Sequence, residues 1–174
     1  MKIFTEQQRF NQWWLYVIIG ASLFTMIIPI VINSDDLLKD KTAKIALSIS
    51  FLLVLATIFI IRMIKLHTRI DEKGIHYRFT PFHRKQYLIN WDDVSNAYVR
   101  KYNAIFEYGG WGYRGNFLRS SGKVSNGKAY NIRGNQGIQI VLNNGKKILI
   151  GTQKEVEAQR VLNTYKSKIV KATA

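Results

Sequence analysis

Hydrophobic positions fall into two regimes along the chain. From Trp13 to Ile32, and again from Ile45 to Ile61, no residue is charged. Val, Ile, Leu and Phe occur all round these runs, whereas a helix packed on a soluble core keeps a polar face. Each run is long enough to cross a hydrocarbon layer of about 30 Å as a helix. On the insertion scale each such residue contributes roughly −0.3 to −0.6 kcal/mol, and no charge opposes it. The pattern predicts two transmembrane helices. The polar link from Ser34 to Lys41 is short, so they form an antiparallel hairpin. The first run is too long for a signal-peptide core and lacks a small-residue cleavage site after it. Pro29 is expected to kink the first helix near its end at modest cost. Ala46 and Ser50 form a small-x-x-x-small pair suited to helix packing.

After His67 the period shortens. His67–Ile70 and Ile75–Phe79 flank Asp71-Glu72-Lys73-Gly74, which reads as a hairpin turn. Lys85–Trp91 is a third strand, with Tyr87, Ile89 and Trp91 on one face, and Val94–Tyr102 a fourth. The alternation of Tyr98, Tyr102, Phe106 and Tyr108 extends that strand to the glycine-rich stretch YGGWGYRG. Asn116–Lys128 is a loop rich in Ser, Gly and Asn. Ala129–Arg133, Ile138–Leu142 and Lys146–Ile150 complete seven strands, the last two joined by Asn143-Asn144-Gly145, a strong hairpin signal. Thr152-Gln153-Lys154-Glu155 is a capping box for a final helix to about Ser167. In that helix Ala158, Leu162, Tyr165 and Ile169 make an apolar stripe. At the other end Thr5-Glu6-Gln7-Gln8 also fits a capping box. It predicts an interfacial helix running through Gln12 into the first span, with Phe4, Phe10, Trp13, Trp14 and Tyr16 at the membrane surface. Two domains follow, 1–64 and 65–174.

Charge sharpens this division. The 174 residues carry a net +15. From Lys65 onward there are 20 Lys and Arg against 7 Asp and Glu. Arg62, Lys65 and Arg69 follow the second run closely, which favours a cytoplasmic location for both termini and for the C-terminal domain. Basic residues beside an anionic leaflet gain about 1 kcal/mol each. These three are the candidate membrane-surface contacts, shared with the role of snorkelling anchors.

Reactive chemistry is sparse. There is no Cys, so disulfides and thiolate metal sites are excluded. Gly110, Gly112 and Gly115 match G-x-G-x-x-G, but no helix-forming segment follows and the next acid after Glu107 is Glu155. A dinucleotide fingerprint needs both in register. The stretch instead reads as a strand broken or bulged at Gly109 and Gly110 to let a curved sheet turn a corner. Each Gly-Lys pair lacks the following Ser or Thr of a P-loop. The three histidines, His67, His76 and His83, form no metal-ligand spacing. Asp92 and Asp93 suit a turn better than an acid–base pair, because neighbouring strand residues face opposite ways. No catalytic, cofactor or metal residue is assigned, and the chain reads as non-enzymatic.

The strand sequence beginning TRIDEKGIHYRF and including INWDDV, closed by one helix, resembles the bacterial pleckstrin-homology-like domain. EYGGWGYRG, AYNIRGNQGIQIVL and NGKKILIGTQ resemble one subgroup of these proteins, and the N-terminal hairpin resembles small bacterial membrane proteins that carry such domains. The resemblance covers about residues 65 to 167. It implies an α+β, mainly β fold: an antiparallel superbarrel capped by a helix. It also implies a binding or scaffolding role, with no ligand named. Pleckstrin-homology domains that read phosphoinositides use a basic first hairpin; here that turn carries two acids and one Lys. The expected function is a membrane-anchored interaction module. Its expected partners are anionic lipid, without headgroup specificity, and a protein partner or a second copy. Trp111, Tyr113 and Arg114 are the candidate partner-binding residues. Two alternatives stand beside it. One is a tethered nucleic-acid-binding module using Tyr98-Val99-Arg100-Lys101-Tyr102; membrane attachment accounts for the charge without it. The other is an accessory subunit of a transporter, since two helices form no pathway alone.

Overall fold

The computed structural model describes residues 2–32, 40–114 and 127–171. The link from Ser34 to Lys39 and most of the Asn116–Lys128 loop, with Gly115 before it, lie outside the described residues. The chain divides into a helical unit, Phe10–Ile64, and a β unit made of Met1–Arg9 with Lys65–Ala174.

The helical unit holds α1 (Trp13–Ile32) and α2 (Lys41–Met63). By length and composition both can cross a membrane, with a mean hydropathy of 2.5 in each and no buried residue in either. At 1.5 Å per residue the two are about 30 and 35 Å long. Pro29 lies inside α1. The hydroxyls within the apolar runs turn back on their own helix: Ser22 donates to the Ile18 carbonyl at 2.9 Å and Thr57 to that of Leu53 at 2.8 Å. A polar group in hydrocarbon needs such an internal partner. Asp40 caps α2 by accepting from the Thr42 N–H at 2.9 Å, which also suits the positive end of the helix dipole.

The β unit has nine strands among the described residues. The first sheet is the meander β1 (Phe4–Arg9), β2 (Lys65–Ile70), β3 (Gly74–Thr80) and β4 (Tyr87–Asn90). A 3₁₀ turn at Trp91–Asp93 leads to β5 (Val94–Lys101), then a short helix α3 (Ala104–Tyr108), β6 (Gly112–Arg114), β7 (Lys128–Asn131), β8 (Gln136–Leu142), β9 (Lys147–Gly151) and α4 (Glu155–Lys171). The second sheet runs β5-β8-β9-β7-β6, with β7 and β9 parallel. The architecture is α+β and mainly sheet. The two sheets are separate and do not close into one barrel by backbone pairing.

Three expectations are corrected. Thr5–Gln8 is not a helix start but the middle of β1, where Phe4, Glu6 and Gln8 alternate inward. Six cross-strand partners on β2, from Phe4↔Ile70 to Arg9↔Lys65, compete successfully with the local capping signal. The first ten residues therefore do not all belong with the hairpin: residues up to Arg9 are part of the β unit. Finally, the strand expected to continue to Tyr108 ends at Lys101. Asn103 accepts from the N–H groups of Ile105 and Phe106, both at 3.1 Å, and starts α3. Gly109, at φ 74°, ends it in the left-handed conformation that glycine adopts without strain.

Elsewhere the pattern and the fold agree. Leu66, Ile70, Ile75, Tyr77 and Phe79 face inward at period two. Ala158, Leu162, Tyr165 and Ile169 are buried along α4. The Asn143–Gly145 hairpin forms, and the Asp71–Gly74 turn closes with Asp71 N–H on the Gly74 carbonyl at 3.0 Å. A Cβ on Gly74 would meet the Ile89 carbonyl oxygen at 2.0 Å, so no other residue fits that approach.

One buried carboxylate fastens β1 to the rest. Glu6 accepts from the Thr152 hydroxyl at 2.6 Å and from the Gln153 N–H at 2.8 Å, in the loop that opens α4. Thr152 also accepts from the Lys154 N–H at 3.1 Å, so its capping oxygen serves the loop rather than Glu155. Gln8 donates to the Gly151 carbonyl at 2.6 Å. A carboxylate at a helix N-terminus gains from the dipole as well as from its hydrogen bonds. Glu6→Ala strands the buried Thr152 hydroxyl and the part-buried Gln153 N–H. It is expected to cost the β unit about 1–3 kcal/mol, measured by denaturant unfolding in detergent, and adding Thr152→Val should then cost less than it does alone.

Candidate functional site

Arg9 and Lys65, opposite each other at one end of the first sheet, are the points where the chain enters and leaves the helical unit. This tethered end carries the densest positive charge of the sheet. Lys65 stands opposite Thr80 and His67 opposite Arg78. His67 feels this directly: burial, then Arg78, Lys65 and Arg9, hold its pKa below the usual histidine value. Thr5, Glu6, His67, Thr68, Arg69, Arg78 and Gln86 line a depression of about 190 Å³ on the sheet.

The other end of the sheet is organised by Asp71. Its carboxylate accepts from Arg69 Nε at 3.0 Å, from the Lys73 N–H at 3.0 Å and stands 3.1 Å from His76 Nε2. Burial opposes its charge, yet these hydrogen bonds and the His76 and Arg69 charges hold its pKa below the carboxylate norm. Its carbonyl accepts from the Trp91 indole at 2.9 Å, and Trp91 stacks on Tyr165 of α4. A shallow cavity of about 380 Å³ opens beside it.

The β3–β4 turn follows Thr80 and so lies at the tethered end. His83 is its internal anchor. Its N–H bonds the Phe79 carbonyl at 2.8 Å, and its Nδ1 accepts from the Phe79 N–H at 3.3 Å. Its ring sits among those of Tyr77, Tyr87, Tyr113 and Tyr130, with centroids 4.6 to 5.8 Å away. Tyr113 and Tyr130 are stacked with planes 4° apart. Burial pushes the Tyr130 phenol pKa far up, with the neighbouring Tyr77 next in effect. While His83 is held inward, Phe82 beside it is 61% exposed, with Arg84 and Lys85 also exposed.

The residues singled out from sequence are dispersed by the fold. Arg62 is in the last turn of α2 and Lys65 opens β2. Arg69 is four residues further along, paired with Asp71. Trp111 packs against the cluster of Tyr102, Ala104, Tyr108, Ala129 and Leu149 and donates to the Gly134 carbonyl at 3.2 Å. Tyr113 belongs to the other aromatic cluster, packing on Tyr130 and Phe82. Arg114 is exposed and donates to the Trp111 carbonyl at 3.2 Å. In the Tyr98–Tyr102 stretch, Tyr102 is buried and its pKa pushed up to about 12, chiefly by burial. Arg100 is held by Gln139, Glu107 and Tyr108 at 3.0, 2.7 and 3.1 Å. Both side chains are thus used within the fold. Among the described residues no group of three or more His, Asp or Glu is gathered as a metal ion needs. Sequence reasoning passed over Phe82. Its only local signal was an aromatic residue after Pro81 followed by His-Arg-Lys.

In comparisons with family models, curated proteins and solved structures, no match was found.

Two histidines with lowered pKa, the buried His83 and the half-buried His67, set the acid response. His83 is depressed by burial first and by Lys128 second, and His67 is depressed as above. A base whose folded pKa lies below its unfolded value, about 6.5, binds more protons when unfolded. Its contribution is complete above that value and is lost as pH falls towards the folded pKa. The melting temperature of the β unit is therefore expected to drop between pH 7 and pH 5. The drop should be smaller in His83→Gln, as followed by circular dichroism.

Proposed function

We propose that the protein is a membrane-anchored interaction module, with the β unit displayed at the surface of the bilayer that holds α1 and α2. The observation that carries this reading is the β1–β2 ladder. The strand before the apolar hairpin and the strand after it are antiparallel neighbours. Both ends of the hairpin must then lie on one side of any membrane it enters. Either both helices cross or neither does, and two exposed helices of this hydropathy are costly to leave in water. The basic balance of the β unit favours the cytoplasmic side of an inner membrane.

The β unit is read as a pleckstrin-homology-like domain. A four-stranded meander, a second sheet and a C-terminal helix lying on both support it. On this reading the two separate sheets correspond to the two halves of that superbarrel, left unjoined by backbone pairing. The domain presents surfaces for a protein partner or a second copy, and its role is binding rather than chemistry. Gentle extraction with mass measurement identifies which partner is held.

Because the chain has no Cys, single-cysteine labelling is clean. Cysteines placed at Lys2 and at Lys168 are expected to react with an impermeant reagent together, only in inside-out vesicles. Reaction of the two from opposite sides would falsify the paired-end topology.

A further inference from the structure

We infer that the β3–β4 turn, Pro81–Gln86, is a third membrane contact: it enters the headgroup layer of the leaflet beside it, with Phe82 as its apolar wedge and Arg84 and Lys85 on lipid phosphates. This rests on the membrane-anchored reading above and assigns a lipid occupant to an exposed aromatic surface.

Register and chain geometry carry it. Lys65 follows Ile64, the residue that caps α2, and stands directly opposite Thr80. Phe82 is two residues beyond Thr80. Consecutive Cα atoms are about 3.8 Å apart and cross-strand partners about 5 Å, so Phe82 cannot be more than about 17 Å from the end of the span. The polar layers that flank the hydrocarbon make up the difference between about 30 Å and 40–45 Å. Split between two faces, each polar layer is about 5–7 Å deep, so a turn held within about 17 Å of the span's end is in reach of the lipid surface.

The side chains on it match that place. The Phe82 ring is 61% exposed on this turn. Phe82 is supported from behind, with Phe79 at 5.8 Å and Tyr113 at 6.0 Å between ring centroids. Tyr87 and Tyr113, 51% and 41% exposed, continue the surface. Aromatic rings rimmed by cations are the residues that settle at a membrane interface, and Arg84, Lys85, Arg114 and Lys128 are exposed cations near this turn. His83 holds the turn closed through Phe79 and the surrounding rings, so little ordering is left to be lost on contact. The acidic turn Asp71–Gly74 is at the opposite end of the same strands.

The full chain in nanodiscs containing anionic lipid tests this. Nitroxide labels are placed at Phe82→Cys, Asn144→Cys and Leu52→Cys in separate samples. Accessibility to oxygen, which concentrates in lipid, is compared with that to an aqueous nickel complex. The label at 82 is expected to be shifted severalfold towards oxygen relative to that at 144, and the label at 52 further still. Adding Arg84→Glu and Lys85→Glu should return the label at 82 towards the value at 144. Equal nickel accessibility at 82 and 144, with 52 buried in lipid, overturns the turn contact and leaves the anchor standing. Nickel accessibility at 52 overturns both. A label at 82 that is water-exposed in nanodiscs but shielded in native membranes assigns the surface to a protein and also overturns the proposal.

Discussion

The hydrogen-bonded ladder between β1 and β2 is the constraint on which the rest depends. It joins two segments separated by the entire helical unit. Closing so long a loop costs entropy, although the cost grows only logarithmically with length. The offset comes from burial of Phe4, Leu66 and Ile70 and from the Glu6 and Gln8 hydrogen bonds. Each apolar side chain of that kind contributes about 1.5–3 kcal/mol when fully buried. The β unit thus includes a strand made before the helical unit and cannot be complete until that unit has been synthesised. A hairpin whose two ends are clamped side by side has a fixed parity, and that feature is set by pairing inside the β unit rather than by the lipid.

Charge is arranged along the strands of the first sheet with a clear polarity. The tethered end concentrates Arg9, Lys65, Arg78, Arg84 and Lys85, and burial, then the nearby Arg78, Lys65 and Arg9, hold the His67 pKa down there. The far end gathers Asp71, Glu72 and the contacts from Arg69 and His76. Asp71 also accepts through its backbone from Trp91, which lies on α4 through Tyr165, so the acidic turn is locked to the helix. Lys168 of α4 adds a bond to the Glu72 carbonyl at 2.7 Å. The acidic turn is built as a structural joint, while the basic end is left exposed. A charge used inside the fold is screened less and is harder to redeploy than one at the surface.

Much of this was legible because the signals were periodic. The two apolar runs, the alternation in β2 and β3, the Asn-Gly hairpin and the stripe on α4 all follow from spacing alone. The errors occurred where a local motif met a distant partner. Thr5-Glu6-Gln7-Gln8 satisfies a capping rule, but the same Glu6 finds stronger donors at Thr152 and Gln153, 146 and 147 positions away. Tyr98 to Tyr108 alternates well enough for a strand, but Asn103 and Gly109 supply both caps of a helix within it. Trp111 and Tyr113 are two apart in sequence, and only the fold reveals that they serve different clusters. Phe82 was invisible because exposure is not a sequence property.

The two ends of the first sheet make different demands on a ligand. Headgroup recognition by a hairpin requires flexible cations around a pocket that lipid can reach. In this chain the Asp71–Gly74 turn has an acidic centre already saturated with donors, and the strands carry it away from the tether. The β3–β4 turn has the converse properties: no side-chain carboxylate in Pro81–Gln86, two free-standing cations and an apolar ring outward. An apolar wedge between cations favours a lipid surface by partition and by long-range attraction, neither of which selects one headgroup. On the proposed reading, specificity for a partner falls to the surfaces left facing water, and among these α3 offers Ile105 and Phe106, 57% and 89% exposed. On the proposed reading, attachment needs only charge and hydrophobicity near the tether, whereas recognition needs shape elsewhere on the β unit.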